Sequence, residues 1–156
     1  MRRLLGGLLV VVLSLAAVSA LVLVLQSRDD AEVGSDGGPG ERVEDRCPAQ
    51  PVGVTRDRRT LSRAQIQTAL AQGNVVILYA DGPPAELRRL QRDVAGGPFD
   101  AEIAAAGQAV VLAEADVPAY EGRAWGRRLA VEDPQDPRLR EFAEAWLGSG
   151  APEPCR

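Results

Sequence analysis

The chain has 156 residues, a net charge of −4 and no histidine, and all 18 of its basic residues are arginine. The acidic balance excludes the broad basic surface that nucleic-acid binding requires. With neither imidazole nor lysine amine there is no Ser-His-Asp or Cys-His pair, no His-ligated zinc and no Schiff base, so proton transfer would fall to carboxylates, tyrosine, arginine or the two cysteines.

In chain order, Arg2 and Arg3 precede an uncharged run that begins at Leu4 and ends at Leu25. As a helix rising about 1.5 Å per residue, that run spans roughly 33 Å, enough for a bilayer core of about 30 Å. Residues 1–25 are therefore read as an N-terminal transmembrane anchor. Positive charge on its short side predicts a cytoplasmic N-terminus and a domain outside the cell membrane, in a single-pass arrangement. The competing reading is a signal peptide cleaved after Val18-Ser19-Ala20. Cleavage there would leave the apolar stretch Leu21-Val22-Leu23-Val24-Leu25 exposed at the new N-terminus. Both readings export the remainder of the chain.

Residues 26–46, "QSRDDAEVGSDGGPGERVEDR", are acidic, rich in glycine and poor in apolar bulk. Such a stretch buries too little surface to order itself, and it reads as a disordered acidic linker. Residues 47–156 form the extracytoplasmic domain, bracketed by Cys47 and Cys155. Outside the cytoplasm thiols are oxidised, so this pair is expected as a structural disulfide. Closing a loop of about a hundred residues contributes about 4–5 kcal/mol in the chain-entropy model. A redox pair is the alternative, but the C-x-x-C spacing is absent.

Apolar periodicity lays out the domain. A helix opens at Thr60-Leu61-Ser62, turns Leu61, Ile66, Ala69 and Leu70 inward, and stops at Gly73. Residues 74–80 are a strand, continuously apolar as in a sheet covered on both faces. Asp81-Gly82-Pro83-Pro84 is a turn, followed by a helix with Leu87, Leu90 and Val94 on one side that breaks at Gly96-Gly97-Pro98. Residues 99–106 form a short helix, 109–113 a second buried strand and 125–131 a third. Asp136-Pro137 starts a last helix with Leu139, Phe142, Ala143, Trp146 and Leu147 on one stripe, ended by Gly148. The expected fold is α/β: a small mixed sheet of about three strands covered by helices, in the order α-β-α-(α)-β-β-α. The first two strands are expected to be parallel, and the third antiparallel to the second.

Three groups of residues are candidates for a site. Asp81 and Glu86 flank the strand-to-helix turn, where many α/β proteins hold ligands, and with Tyr79 they would serve an enzyme or metal-dependent protein. Turn and helix-dipole chemistry explains both carboxylates equally. Arg123, Trp125, Arg127 and Arg128 are candidates for binding an anion on one strand, against the plainer reading of a solvated face. The cysteines are structural. No metal site and no cofactor is expected.

The segments "LAQGNVVILY", "PPAELRRL", "GQAVVLAEAD", "GRAWGRRL" and "DPRLREFAEAWLG" resemble, in that order, the C-terminal half of the domain of unknown function 3105 family, over residues 66–149. Ala124-Trp125-Gly126 is the most telling match. The resemblance implies a membrane-anchored or exported bacterial protein of no assigned activity. Where the family commonly carries Leu-Glu-His-Gly, this chain has Leu70-Ala71-Gln72-Gly73, and an upstream Ser-Gly-Pro-His motif is missing as well. Two histidines and a glutamate would suit a metal or acid/base site, and this chain has lost all three. The expected function is thus a membrane-anchored, non-catalytic binding or scaffold module for an envelope protein or ligand.

Overall fold

A computed structural model describes residues 38–55, 60–153 and 155. The expected anchor and the expected linker as far as residue 37 lie outside the described residues. No helix among the described residues is long and apolar enough to cross a membrane.

Local signals set most of the elements. The first helix, α1 (Arg63–Gln72), begins at a capping box: Ser62 accepts from the Gln65 N–H while the Gln65 side chain accepts from the Ser62 N–H. It ends at Gly73, whose left-handed φ of 109° suits glycine. Helix α2 (Ala85–Ala95) follows Pro84, and the short α3 (Ala101–Ala105) is capped by Asp100. Helix α4 (Pro137–Trp146) starts at Asp136, with Pro137 in its first turn.

The sheet has five strands, not the expected three: β1 (Glu41–Arg42), β2 (Val75–Tyr79), β3 (Val110–Glu114), β4 (Tyr120–Ala124) and β5 (Arg127–Val131), in spatial order β1-β5-β4-β2-β3. β2 and β3 are parallel, as their helical connection requires, and the other strands pair antiparallel; an isolated parallel bridge joins Thr60 to Glu114. The extra strands have two origins. Residues 120–131 make a hairpin rather than one strand, with Trp125-Gly126 as a two-residue loop and Ala124 opposite Arg127. In addition, Glu41 and Arg42, assigned from sequence to the linker, pair with Arg128 and Arg127 at the sheet edge. The hairpin also corrects the expected direction. β4 runs antiparallel to β2, and β5, the strand expected from the apolar pattern, therefore runs in the same sense as β3.

Helices cover both faces. On one, α2 and α4 pack Leu87, Leu90, Leu139 and Phe142 against Val75, Ile77, Val110 and Leu112. On the other, α1 and α3 pack Ala69, Leu70 and Ala104 against Val76, Leu78, Val111 and Ala113. Gly122 lets α4 come down on β4: a Cβ there would crowd the Phe142 ring and the Leu139 side chain. Cys47 and Cys155 form the expected disulfide, with Cα atoms 5.2 Å apart and a sequence separation of 108.

Residues 38–47 run as a strap along the β5 edge to that disulfide. Gly38 lies so close to Trp146 that a Cβ would enter the indole. The indole Nε1–H donates to the Pro39 carbonyl at 2.7 Å. The Val43 N–H donates to Gly126 O, and the Gly126 N–H donates to Asp45 Oδ2 at 2.7 Å.

Candidate functional site

Strand alternation assigns the hairpin side chains to two faces. Gly122 and Ala124 turn toward α4. Glu121 and Arg123 turn to the α1 side, opposite Leu78 and Val76 on β2, and Arg128 lies across from Arg123 on β5. On that side α1 and α3 cover β2 and β3, whereas β4 and β5 are left to the strap. The result is a cleft of about 680 Å³ between α1, the hairpin and residues 43–46. Its apolar floor is Leu70, Leu78, Ile66 and Val117, and its rim carries Arg46, Arg63, Arg123 and Arg128.

Glu121 organises this rim. It is 4 % exposed, and a buried carboxylate needs compensation. Arg123 Nε donates to its Oε1, and Arg128 Nη2 lies 3.1 Å from its Oε2. Both guanidiniums remain substantially open to solvent, so each has N–H donors left over after meeting Glu121. Among the described residues, no ion pair engages Arg46 or Arg63. The cleft thus combines an apolar floor with anchored planar cations.

The other candidates fare differently. Arg127 borders the cleft, but it is 7 % exposed and its guanidinium carbon lies 4.7 Å from the centroid of the Trp146 ring, a cation–π contact. Trp125 is not in the cleft wall; it packs at the edge of the α1-side core from the hairpin loop. Tyr79 is 3 % exposed within the core on the α2 and α4 side. Asp81 is exposed in the turn and Glu86 sits in the first turn of α2; neither lines the cleft. The carboxylates of the turn and the buried tyrosine therefore do not converge on this concavity. Among the described residues, no group of three or more carboxylate or cysteine side chains is arranged to hold a metal ion.

Compared with family models, with curated proteins and with solved structures, the chain matches none.

Another depression, of about 790 Å³, lies near the start of α4, lined by Pro118, Val131, Asp133, Asp136 and Arg138 among others. Asp136 has a local duty there. It caps α4 through the Arg138 N–H at 2.9 Å and pairs with the Arg138 guanidinium at 2.6 Å. These contacts hold its carboxyl below the usual aspartate value.

Sequence reasoning missed Glu121, Arg46 and Arg63. Glu121 fell between the strands expected at residues 109–113 and 125–131. The signal that finds it is Trp125-Gly126 taken as a hairpin turn, which puts residues 121, 123 and 128 on one face. Arg63 and Arg46 come to the cleft only through tertiary packing.

Proposed function

We propose that the domain is a non-catalytic binding module, held outside the cell membrane by residues 1–25, and that it takes an anionic ligand or partner group in the cleft between α1, the β4–β5 hairpin and the strap. One observation carries the reading: Arg123 and Arg128 are anchored side by side on the buried carboxylate of Glu121 and keep further donors facing an apolar-floored cleft. A guanidinium held in this way loses little freedom on meeting a carboxylate or phosphate, which is the condition for useful affinity from a polar contact. The exported location is supported by the apolar run at residues 4–25, by the disulfide, which suits an oxidising compartment, and by the resemblance of residues 66–149 to the domain of unknown function 3105 family.

Thermal unfolding of the full-length chain, at constant ionic strength and with a panel of simple anions, tests the reading. We expect at least one anion to raise the midpoint, and the rise to disappear in Arg63→Gln and in Arg123→Gln. Turnover of any substrate that is abolished by Asp81→Asn or Glu86→Gln overturns it in favour of an enzyme.

A further inference from the structure

Resting on that reading, we infer that the cleft is built for an aliphatic carboxylate: one planar monoanion on an apolar body, not a phosphate dianion and not a bare anion.

Charge is the first argument. Arg123, Glu121 and Arg128 form a unit of two cations and one anion, with a single net positive charge at the cleft. Around it, Arg46 and Arg63 are balanced by Glu44 and Asp116 in the same wall. Arg127, turned to Trp146, and Asp45, which accepts from the Gly126 N–H, keep their charges and offset one another, so the described lining residues together with Glu121 carry one net positive charge. One positive charge matches one carboxylate. A phosphate dianion would leave a negative charge uncompensated in a partly dry site.

Geometry is the second. A guanidinium presents parallel N–H donors that fit the two oxygens of a carboxylate in one plane. Glu121 takes one contact from each arginine, Arg123 Nε on Oε1 and Arg128 Nη2 on Oε2, which leaves each guanidinium further N–H donors for an incoming carboxylate. The floor is the third. Leu70 and Leu78 are already dry at 3 % and 2 % exposure; the apolar surface left open to a ligand belongs to the half-buried Ile66 and Val117, which an anion without an apolar body would leave wet.

The chemistry has two natural sources: a free short fatty acid, and the C-terminus of a peptide ending in an aliphatic residue. Glu121 acts as a positioning residue, fixing both guanidiniums at a spacing set by its own two oxygens.

Titration calorimetry on the full-length chain tests this, with hexanoate, hexanamide, acetate, hexyl phosphate and N-acetyl-leucine as probes. We expect hexanoate or N-acetyl-leucine to bind at least tenfold more tightly than acetate, hexanamide or hexyl phosphate. The tighter of the two identifies the source. Arg63→Gln and Arg128→Gln should each weaken that binding, while Arg140→Gln, whose guanidinium pairs with Asp93 and Glu144 outside the cleft, should not. Glu121→Gln separates positioning from bulk charge. It makes the cleft more positive, so a purely electrostatic role predicts tighter hexanoate binding, whereas positioning predicts weaker binding. If acetate or hexyl phosphate binds as well as hexanoate, the aliphatic-carboxylate inference is overturned while the anion-binding reading stands. If no anion binds and the arginine variants behave as wild type, both fall.

Discussion

Asn74 offers a quantitative test of how α1 and α3 are joined to the sheet. It is 1 % exposed, just before β2, where the C-terminal ends of α1 and α3 meet the start of β3. Its Nδ2 donates to the carbonyls of Ala69 (3.1 Å) and Ala104 (2.8 Å), and its Oδ1 accepts from the Ala109 N–H (2.9 Å). Asn74→Ala removes all three bonds, with unequal consequences. Ala69 O still accepts from the Asn74 N–H and Ala104 O from the Gly107 N–H, so those carbonyls stay satisfied. The Ala109 N–H loses its side-chain acceptor inside the protein. A stranded buried donor costs about 1–3 kcal/mol, and each of the other two bonds about 0.5–1 kcal/mol, giving a loss of about 2–5 kcal/mol. Against a total stability of about 5–15 kcal/mol this is large. Asn74→Asp keeps the acceptor but sets a carboxylate oxygen against two carbonyls, and at neutral pH it should cost at least as much. Urea unfolding, with the slope m unchanged, is the assay. A loss below about 1 kcal/mol for Asn74→Ala, or an Asn74→Asp variant as stable as wild type at pH 7, refutes the reasoning.

Reducing the Cys47–Cys155 bond, or replacing both residues by serine, should lower stability by about 3–5 kcal/mol, since the bond closes a loop of 108 residues and ends the strap; unfolding with and without reductant measures it. Replacing Arg123 and Arg128 together by alanine strands the buried Glu121 charge. We expect a loss of about 1–3 kcal/mol, at the low end for a buried charge because both arginines are more than a third exposed, and substantial recovery on adding Glu121→Leu, read from urea midpoints. The folded-state pKa of Asp136 is lowered, first by its hydrogen bonds with Arg138. Its contribution to α4 is therefore present at neutral pH and is lost as pH falls through that lowered value. An NMR titration should place its midpoint below that of aspartate in an unfolded peptide, and Arg138→Ala should move it upward; an unshifted midpoint contradicts the pairing.

Where a residue's role depended on its neighbours in sequence, it could be read without the structure. Thr60-Leu61-Ser62 announces α1, Gly73 ends it, Asp136-Pro137 opens α4, and the unbroken apolar runs of β2 and β3 imply helices on both faces. Two things were not legible, for one physical reason. β1 is two charged residues whose strand conformation comes entirely from pairing with β5, so no local propensity marks it. β4 was hidden because "YEGRA" mixes a glycine that α4 packs against with a glutamate and an arginine that pair with each other, which blurs the period-2 pattern. The cleft inherits both difficulties, since its walls are the strap and the hairpin. Of the residues picked out from sequence, Arg123 and Arg128 reach it paired with Glu121 and with N–H donors to spare, Arg127 is committed to Trp146, and Trp125 serves the core.

The central claim is that this domain works by contact through one cleft, and NMR of the full-length chain titrated with hexanoate bears on it most directly. Saturable shift changes confined to Ile66, Leu70, Val117, Arg123 and Arg128 are the predicted result. Changes centred on Asp81 and Glu86, or none in the cleft at saturating hexanoate, would contradict it.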